Sequence, residues 1–218
     1  MLSYEQLDFA LNTIGTIAFA FSGAMVGIKK GMDLLGVIVL GVVTALGGGC
    51  VRDLVLGINP PNMFTDSFFA RLSVISCIII FTIFYIRTDY LKSKKFKKYE
   101  DFMLILDAIG LGAFTVTGIN TALLMGFSED KFLLIFVGMV TGVGGGVIRD
   151  IFSREIPFVF VEQIYAVASF LGAMFYIKTM NILSHDTVMI ISALIVLITR
   201  IIAVNYNINL PKISKEKL

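Results

Sequence analysis

The chain has 218 residues, of which 57% are hydrophobic and 16% charged, and its mean hydropathy is +0.89. A soluble domain is ordinarily about 45–50% apolar and about 25% charged, so this composition excludes an ordinary water-soluble fold. The net charge of +2 arises in loops and gives no reason to expect nucleic acid as a partner, and the two cysteines, Cys50 and Cys77, form no CxxC pair that would suggest a disulfide or metal site.

The apolar residues fall into seven blocks, Leu7–Gly27, Leu34–Leu56, Phe68–Ile86, Phe102–Met125, Phe132–Phe152, Pro157–Ile177 and Val188–Val204. A bilayer core takes roughly 20 apolar residues per helix. The expected fold is therefore an all-α membrane protein with seven transmembrane helices. Glu5 and Asp8 stand at the start of the first block in place of a basic signal-peptide start, so this span is expected to remain in the protein. Lys29, Lys30, the run from Arg87 to Lys98, Arg154, Arg200 (able to snorkel) and the tail Lys212, Lys215 and Lys217 fall on one side. That side holds thirteen of the eighteen basic residues. Positive-inside orientation then places the N-terminus outside and the C-terminus in the cytoplasm.

"LNTIGTIAFAFSG" (Leu11–Gly23) aligns with "LDAIGLGAFTVTG" (Leu106–Gly118) at an offset of 95. Two residues of insertion shift the offset to 97, pairing Asp33 with Asp130 and "GGGCVRD" (47–53) with "GGGVIRD" (144–150). The chain thus divides into a first three-helix repeat (1–89), a basic loop (90–101), a second three-helix repeat (102–180), and a seventh helix with its tail (181–218). Three spans is an odd number, so the second copy is expected to be inverted. In inverted repeats, helices broken at matching positions point to a transport site near the midplane.

Gly47, Gly48, Gly49 and Gly144, Gly145, Gly146 are the candidate breaks. Each interior glycine weakens a helix by about 1 kcal/mol relative to alanine, and Gly47 lies about 20 Å into its span at 1.5 Å per residue. A break would free carbonyls at Leu46 and Val143, which suit K+ or Na+, and N–H groups that suit a carboxylate. Close packing is the alternative use of such glycines, as in the GxxxG pairs Gly23–Gly27 and Gly138–Gly142. The paired occurrence favours the break.

Arg52, Asp53, Arg149 and Asp150 follow these runs, where a charge must be paired or wetted. Neighbours on a helix point about 100° apart, so each arginine is expected to meet a carboxylate on another helix, either as a structural pair or as a gate. Candidate pore-lining polar residues are Asn12 with its mate Asp107, Ser22 with Thr117, and Thr44 with Thr141. Arg71 and Glu162 match weakly near span ends, and His185 is expected to be solvated in an outer loop. No catalytic constellation or metal-ligand spacing occurs, so neither an enzyme nor a cofactor is expected.

The run from Gly15 to Gly57, followed by the second GGGVIRD, resembles the prokaryotic members of the trimeric intracellular cation channel (TRIC) family over about residues 5–180. The resemblance implies a seven-helix protomer with its N-terminus outside, assembled as a homotrimer in the lipid bilayer. It also implies one monovalent-cation (K+) pathway through each protomer. The same bacterial domain is also described as a glycine transporter, so a small-amino-acid carrier stands as the alternative.

Overall fold

The structure is a computed structural model and describes residues 4–86, 96–161, 164–206 and 208, with backbone alone for 96–100. Glu162, the basic residues from Arg87 to Lys95, and Lys212, Lys215 and Lys217 lie outside the described residues. Nine helices and no strand occur among the described residues: α1 (Tyr4–Lys29), α2 (Leu34–Val55), α3 (Asn62–Thr65), α4 (Phe68–Ile86), α5 (Phe96–Leu124), α6 (Lys131–Phe152), α7 (Phe158–Val161), α8 (Tyr165–Thr179) and α9 (His185–Asn205). Six of them, α1, α2, α4, α5, α6 and α9, are long and apolar enough to span a membrane. Their outward faces are apolar too. On α9, Ile190, Leu194, Ile198 and Ile202 are exposed at four-residue spacing, while Met189, Ser192, Val196 and Arg200 face inward. That stripe suits hydrocarbon, because residues four apart share one helix face.

Two boundaries differ from the sequence expectation. The fifth helix begins at Phe96, inside the basic loop, where Lys97, Lys98 and Glu100 are good helix formers. The block Pro157–Ile177 is not one helix. It divides into α7 and the 15-residue α8, with Ile164 left-handed at φ 35°, ψ 39° between them. A β-branched residue seldom adopts that conformation, and no propensity argument anticipates it.

The aligned segments start and stop in the same way. Asp33 accepts a bond from Gly36 N (2.8 Å) at the start of α2, and Asp130 accepts one from Leu133 N (3.0 Å) at the start of α6. Both are side-chain N-caps that satisfy an orphan donor. At the other ends, Ile58 N donates to Asp53 O and Glu155 N to Asp150 O, each at 2.8 Å, around left-handed Gly57 (φ 74°) and Arg154 (φ 59°). These are matching Schellman closures.

The ends of the bundle are defined by contacts. At the N-terminal face, Leu7 of α1 packs with Leu56, Ala122, Ile177 and Val188. At the opposite face Lys30 bonds to Glu155 at 2.6 Å.

The predicted helix breaks are absent. α2 runs uninterrupted through Gly47–Gly49 and α6 through Gly144–Gly146, so Leu46 and Val143 do not expose carbonyls at a break. The glycines serve packing. A Cβ on Gly48 would collide with the Thr141 carbonyl, one on Gly145 with the Thr44 carbonyl, and one on Gly144 would lie 3.1 Å from Gly48 Cα. The two runs therefore press α2 and α6 together backbone to backbone. Gly23 of α1 and Gly118 of α5 make room for the side chains of Thr44 and Thr141. Lipid offers no partner for freed backbone groups, which makes a continuous, closely packed helix the cheaper arrangement.

The three glycines of one run should therefore respond differently to alanine. Gly48→Ala forces α2 off α6 and should lower thermal stability in detergent by at least the ~1–3 kcal/mol of ordinary overpacking. Gly49→Ala meets nothing closer than Arg52 Nη2 at 3.6 Å and should leave the melting temperature unchanged or slightly raised. Equal melting of the two variants would remove the packing explanation.

Candidate functional site

A cavity of about 360 Å³ opens at the N-terminal face between α1, α2, α3, α5 and α6. Asp66 stands at its rim and Thr16, Phe114 and Thr141 at its floor. Thr141 is ten residues into α6, about 15 Å at 1.5 Å per residue, or half the thickness of a hydrocarbon core of about 30 Å. Three carboxylates, Asp8, Asp53 and Asp66, and one guanidinium, Arg52, line the wall. The cavity is therefore electronegative, and low-dielectric walls focus that field on a small cation.

Asp8, which the sequence reading passed over as a feature of the N-terminus, is central to this wall. Its Oδ1 accepts from Asn120 Nδ2 (2.6 Å) and its Oδ2 from Asn12 Nδ2 (2.9 Å). Behind Asn120 the chain of bonds continues: Tyr176 donates to Asn120 Oδ1 (2.6 Å), and its hydroxyl lies 3.1 Å from His185 Nε2. His185 is thus not a solvated loop residue. It opens α9, half-buried, with Tyr4 packed edge-on at 4.4 Å. Four helices, α1, α5, α8 and α9, are fastened to one cavity carboxylate.

Below the floor the cavity ends against packed side chains. Phe19 and Phe114 meet edge to face with centroids 5.3 Å apart. Beyond them Arg149, fully buried, donates from Nη1 to Asp107 Oδ1 (2.6 Å) and Ser22 Oγ (2.7 Å), and from Nε to Asp150 Oδ1 (2.8 Å). The Phe158 ring covers the guanidinium at 5.2 Å. Ser22 of α1, Asp107 of α5 and Arg149 of α6 thus draw both aligned segments to one point. Arg200, expected to snorkel to a surface, is instead fully buried with its guanidinium 4.7 Å from the Tyr165 ring.

One of the two arginines meets the expected partner and the other does not. Arg149 does meet a carboxylate of another helix, and its own neighbour Asp150 as well. Arg52 bonds to its neighbour Asp53, through Nε at 2.8 Å and Nη2 at 2.7 Å. The 100° argument concerned Cβ directions. It neglected the length of the arginine stem, which folds back onto the next carboxylate. Asp53 and Asp150 use their other oxygens to hold the short helices, accepting from Asn62 N (2.7 Å) and Phe158 N (3.0 Å).

Of the remaining candidates, Asn12, Gly49 and Thr141 line the cavity. Thr44 and Thr141 spend their hydroxyl protons on Leu40 O and Val137 O, both at 2.6 Å. Thr117 is buried with no hydrogen-bond partner for its hydroxyl among the described residues. Gly47 lies against Ile148, and Gly144 borders a lateral apolar groove outside the cavity. Gly145 and Gly146 are buried, Gly145 beside Phe19 and Gly146 beside Tyr165.

A family model described as Glycine transporter matches residues 9–85 and 104–181, the two segments that align with each other. The UPF0126 inner membrane protein YadS of Escherichia coli K12 is 32% identical over 215 residues, covering 97% of this chain and 99% of that protein. A solved structure that accounts for conductance through TRIC cation channels is 37% identical, with a TM-score of 0.80 over 98% of both chains. The chain belongs to the TRIC family. A crystal structure of a prokaryotic TRIC channel in 0.5 M KCl agrees, at 35% identity and a TM-score of 0.82 over 94% of this chain and all of that one. This TRIC-family chain is accordingly an integral membrane protein.

The bond chain behind Asp8 has a measurable stability. Tyr176→Phe keeps the ring but removes the proton donated to Asn120, leaving a buried amide oxygen unsatisfied. Such a loss costs about 1–3 kcal/mol, so the variant should melt earlier in detergent. Unchanged melting would mean that the chain of bonds does not tie the helices together.

Proposed function

We propose that this protein forms a homotrimeric, K+-permeable channel of a bacterial inner membrane, with one monovalent-cation pathway in each protomer. The pathway runs between two inverted three-helix repeats, with α8, entered through α7, completing seven spans. Its N-terminus is outside and its C-terminus cytoplasmic. The carrying observation is the electronegative cavity that reaches the midplane and points at the buried Arg149 cluster. The structural likeness to TRIC cation channels supports the same reading.

The path differs from the one expected of broken helices. No unwound backbone lines it, so a cation entering from outside meets side chains: Asp66 at the rim, Asp8 and Asn12 on the wall, Thr16 and Thr141 at the floor. The Arg149 cluster is the cytoplasmic closure. Arg52 and Asp8 in one cavity favour a second reading, because a guanidinium and a carboxylate could bind the two ends of a zwitterionic amino acid. That is the small-amino-acid carrier.

Planar-bilayer recording in asymmetric KCl separates the two. Unitary currents reversing near the K+ equilibrium potential are expected. Saturable, counterflow-capable uptake of labelled glycine without unitary currents would replace the channel with the carrier. In the channel, Asp8→Asn should cut conductance severalfold in dilute KCl and very little at about 1 M, where screening reaches about 3 Å. A salt-independent loss would assign Asp8 to structure instead of to the field.

Orientation has its own test. A cysteine replacing Asn62 should react with membrane-impermeant thiol reagents in intact cells, and one replacing Lys95 only with permeant ones. The reverse pattern would invert every inside and outside assignment above.

A further inference from the structure

We infer that His185 is a proton sensor for the outer mouth of the pathway. On taking up a proton it weakens the attraction of the cavity for cations, acting through Tyr176 and Asn120 on the Asp8 carboxylate. The inference rests on the channel reading and on the orientation proposed with it.

The direction of this relay follows from its far end. Asp8 takes an amide donor on each oxygen, Asn120 Nδ2 at 2.6 Å and Asn12 Nδ2 at 2.9 Å. That is the arrangement of an ionised carboxylate, which accepts and cannot donate. Asn120 therefore turns its NH2 toward Asp8 and its Oδ1 toward Tyr176. The Tyr176 hydroxyl has one proton, and it goes to Asn120 Oδ1 at 2.6 Å. Only acceptor capacity remains on that hydroxyl, so His185 Nε2, 3.1 Å away, must carry the hydrogen between them. The neutral imidazole is thus held as one tautomer, Nε2–H, with Nδ1 left to take up a proton. Every bond in the chain donates toward Asp8.

A second proton, on Nδ1, leaves these bonds in place, because both nitrogens of an imidazolium donate. Its two effects on the cavity have the same sign. A unit positive charge appears behind a wall whose field is set by Asp8, Asp53 and Asp66 against the guanidinium of Arg52. The charge also polarises the relay, strengthening each donor in turn, and so draws part of the Asp8 charge away from a passing cation. The imidazole is placed for this exchange. It is half-buried at the first residue of α9, on the face where the cavity opens. Tyr4 and Asp8 face it from α1 and the Tyr176 hydroxyl from α8, Asp186 adjoins it on α9, and α5 contributes the neutral Asn120 to the relay. Histidine is the side chain whose ordinary titration lies between about pH 5 and 8, and His185 is the chain's single histidine.

Because it is the single histidine, its protonation can be followed directly. In purified protein carrying isotopically labelled histidine, nitrogen NMR should show the Nε2–H tautomer at high pH and give the midpoint of the imidazole titration. The cavity is read separately at Cys50, which lines it, while Cys77 is 0% exposed. The ratio of Cys50 labelling rates by a cationic and a neutral methanethiosulfonate reagent measures the cavity field, since the ionisation of the thiol itself cancels. In dilute KCl that ratio should fall severalfold as pH is lowered from about 8 to about 6, with the same midpoint as the imidazole. K+ conductance should fall with it when the outer solution alone is acidified. His185→Gln keeps a side-chain N–H donor and cannot titrate there, so it should hold the ratio at its high-pH value throughout. A ratio that ignores pH in the parent, or titrates identically in folded His185→Gln, would overturn the inference, as would an Nδ1–H tautomer. If His185→Gln does not fold, the two midpoints of the parent decide: a ratio that titrates apart from the imidazole assigns the response to the cavity carboxylates and overturns the sensor. A parent protein that carries no current counts against the channel reading, and the labelling ratio still tests the sensor.

Discussion

Backbone contact between α2 and α6 is the constraint from which the rest of the molecule follows. At Gly48 and Gly145 each helix presses on a carbonyl of the other, and no side chain fits between them. The two helices are thereby held at a fixed distance and register. The Arg-Asp pairs follow the glycines directly, so they are held in fixed positions as well, one at each end of the crossing. The Asp8 cavity lies on one side of this contact and the Arg149 cluster on the other.

Low dielectric then gives the charges their meaning. A charged residue inside the hydrocarbon region is costly even on the gentler insertion scales, at about 2.5–3.5 kcal/mol, and the two ends of the crossing meet that cost differently. One keeps its arginine at a wetted wall with one carboxylate bonded to it and a second held nearby. The other surrounds its arginine with two carboxylates, a serine hydroxyl and the face of Phe158. Removing one member of such a buried set leaves an uncompensated charge, and for that reason the set behaves as a unit.

Much of this architecture is legible in the sequence, and the illegible parts share a cause. Spans are visible because lipid demands long apolar runs, and the caps at Asp33 and Asp130 because capping is local. Asp107 stands out as an ionisable residue inside a span. The glycine runs mislead because helix propensity is a property of an isolated segment. It registers three weak residues but not the partner helix that requires them to be small. The left-handed turn at Ile164 is invisible for the same reason. So is the role of His185, whose links to Asp8 pass through Tyr176 and Asn120, residues 56 positions apart in the chain. Single-residue chemistry is readable in the sequence, whereas contacts over such separations require the fold.

The asymmetry of the two copies bears on whether the protein conducts or carries. A carrier that works by exchanging the conformations of its repeats needs half-sites that can reproduce one another on opposite sides of the membrane. Here they do not match. Asp8, Thr16 and Thr121, which line the open cavity, align at the offset of 95 with Met103, Leu111 and Val26. All three mates are buried and apolar. Exchanging the repeats would therefore expose a cleft that holds Arg149, Asp107 and Asp150 but has apolar side chains at these three positions, not a copy of the first chamber. An electronegative cavity that stops at the buried Arg149 cluster fits the proposed channel better than an exchange of matching half-sites. With α2 and α6 continuous and packed backbone to backbone at the glycines, the proposed pathway does not depend on unwound helix and is left to the side chains beside the crossing.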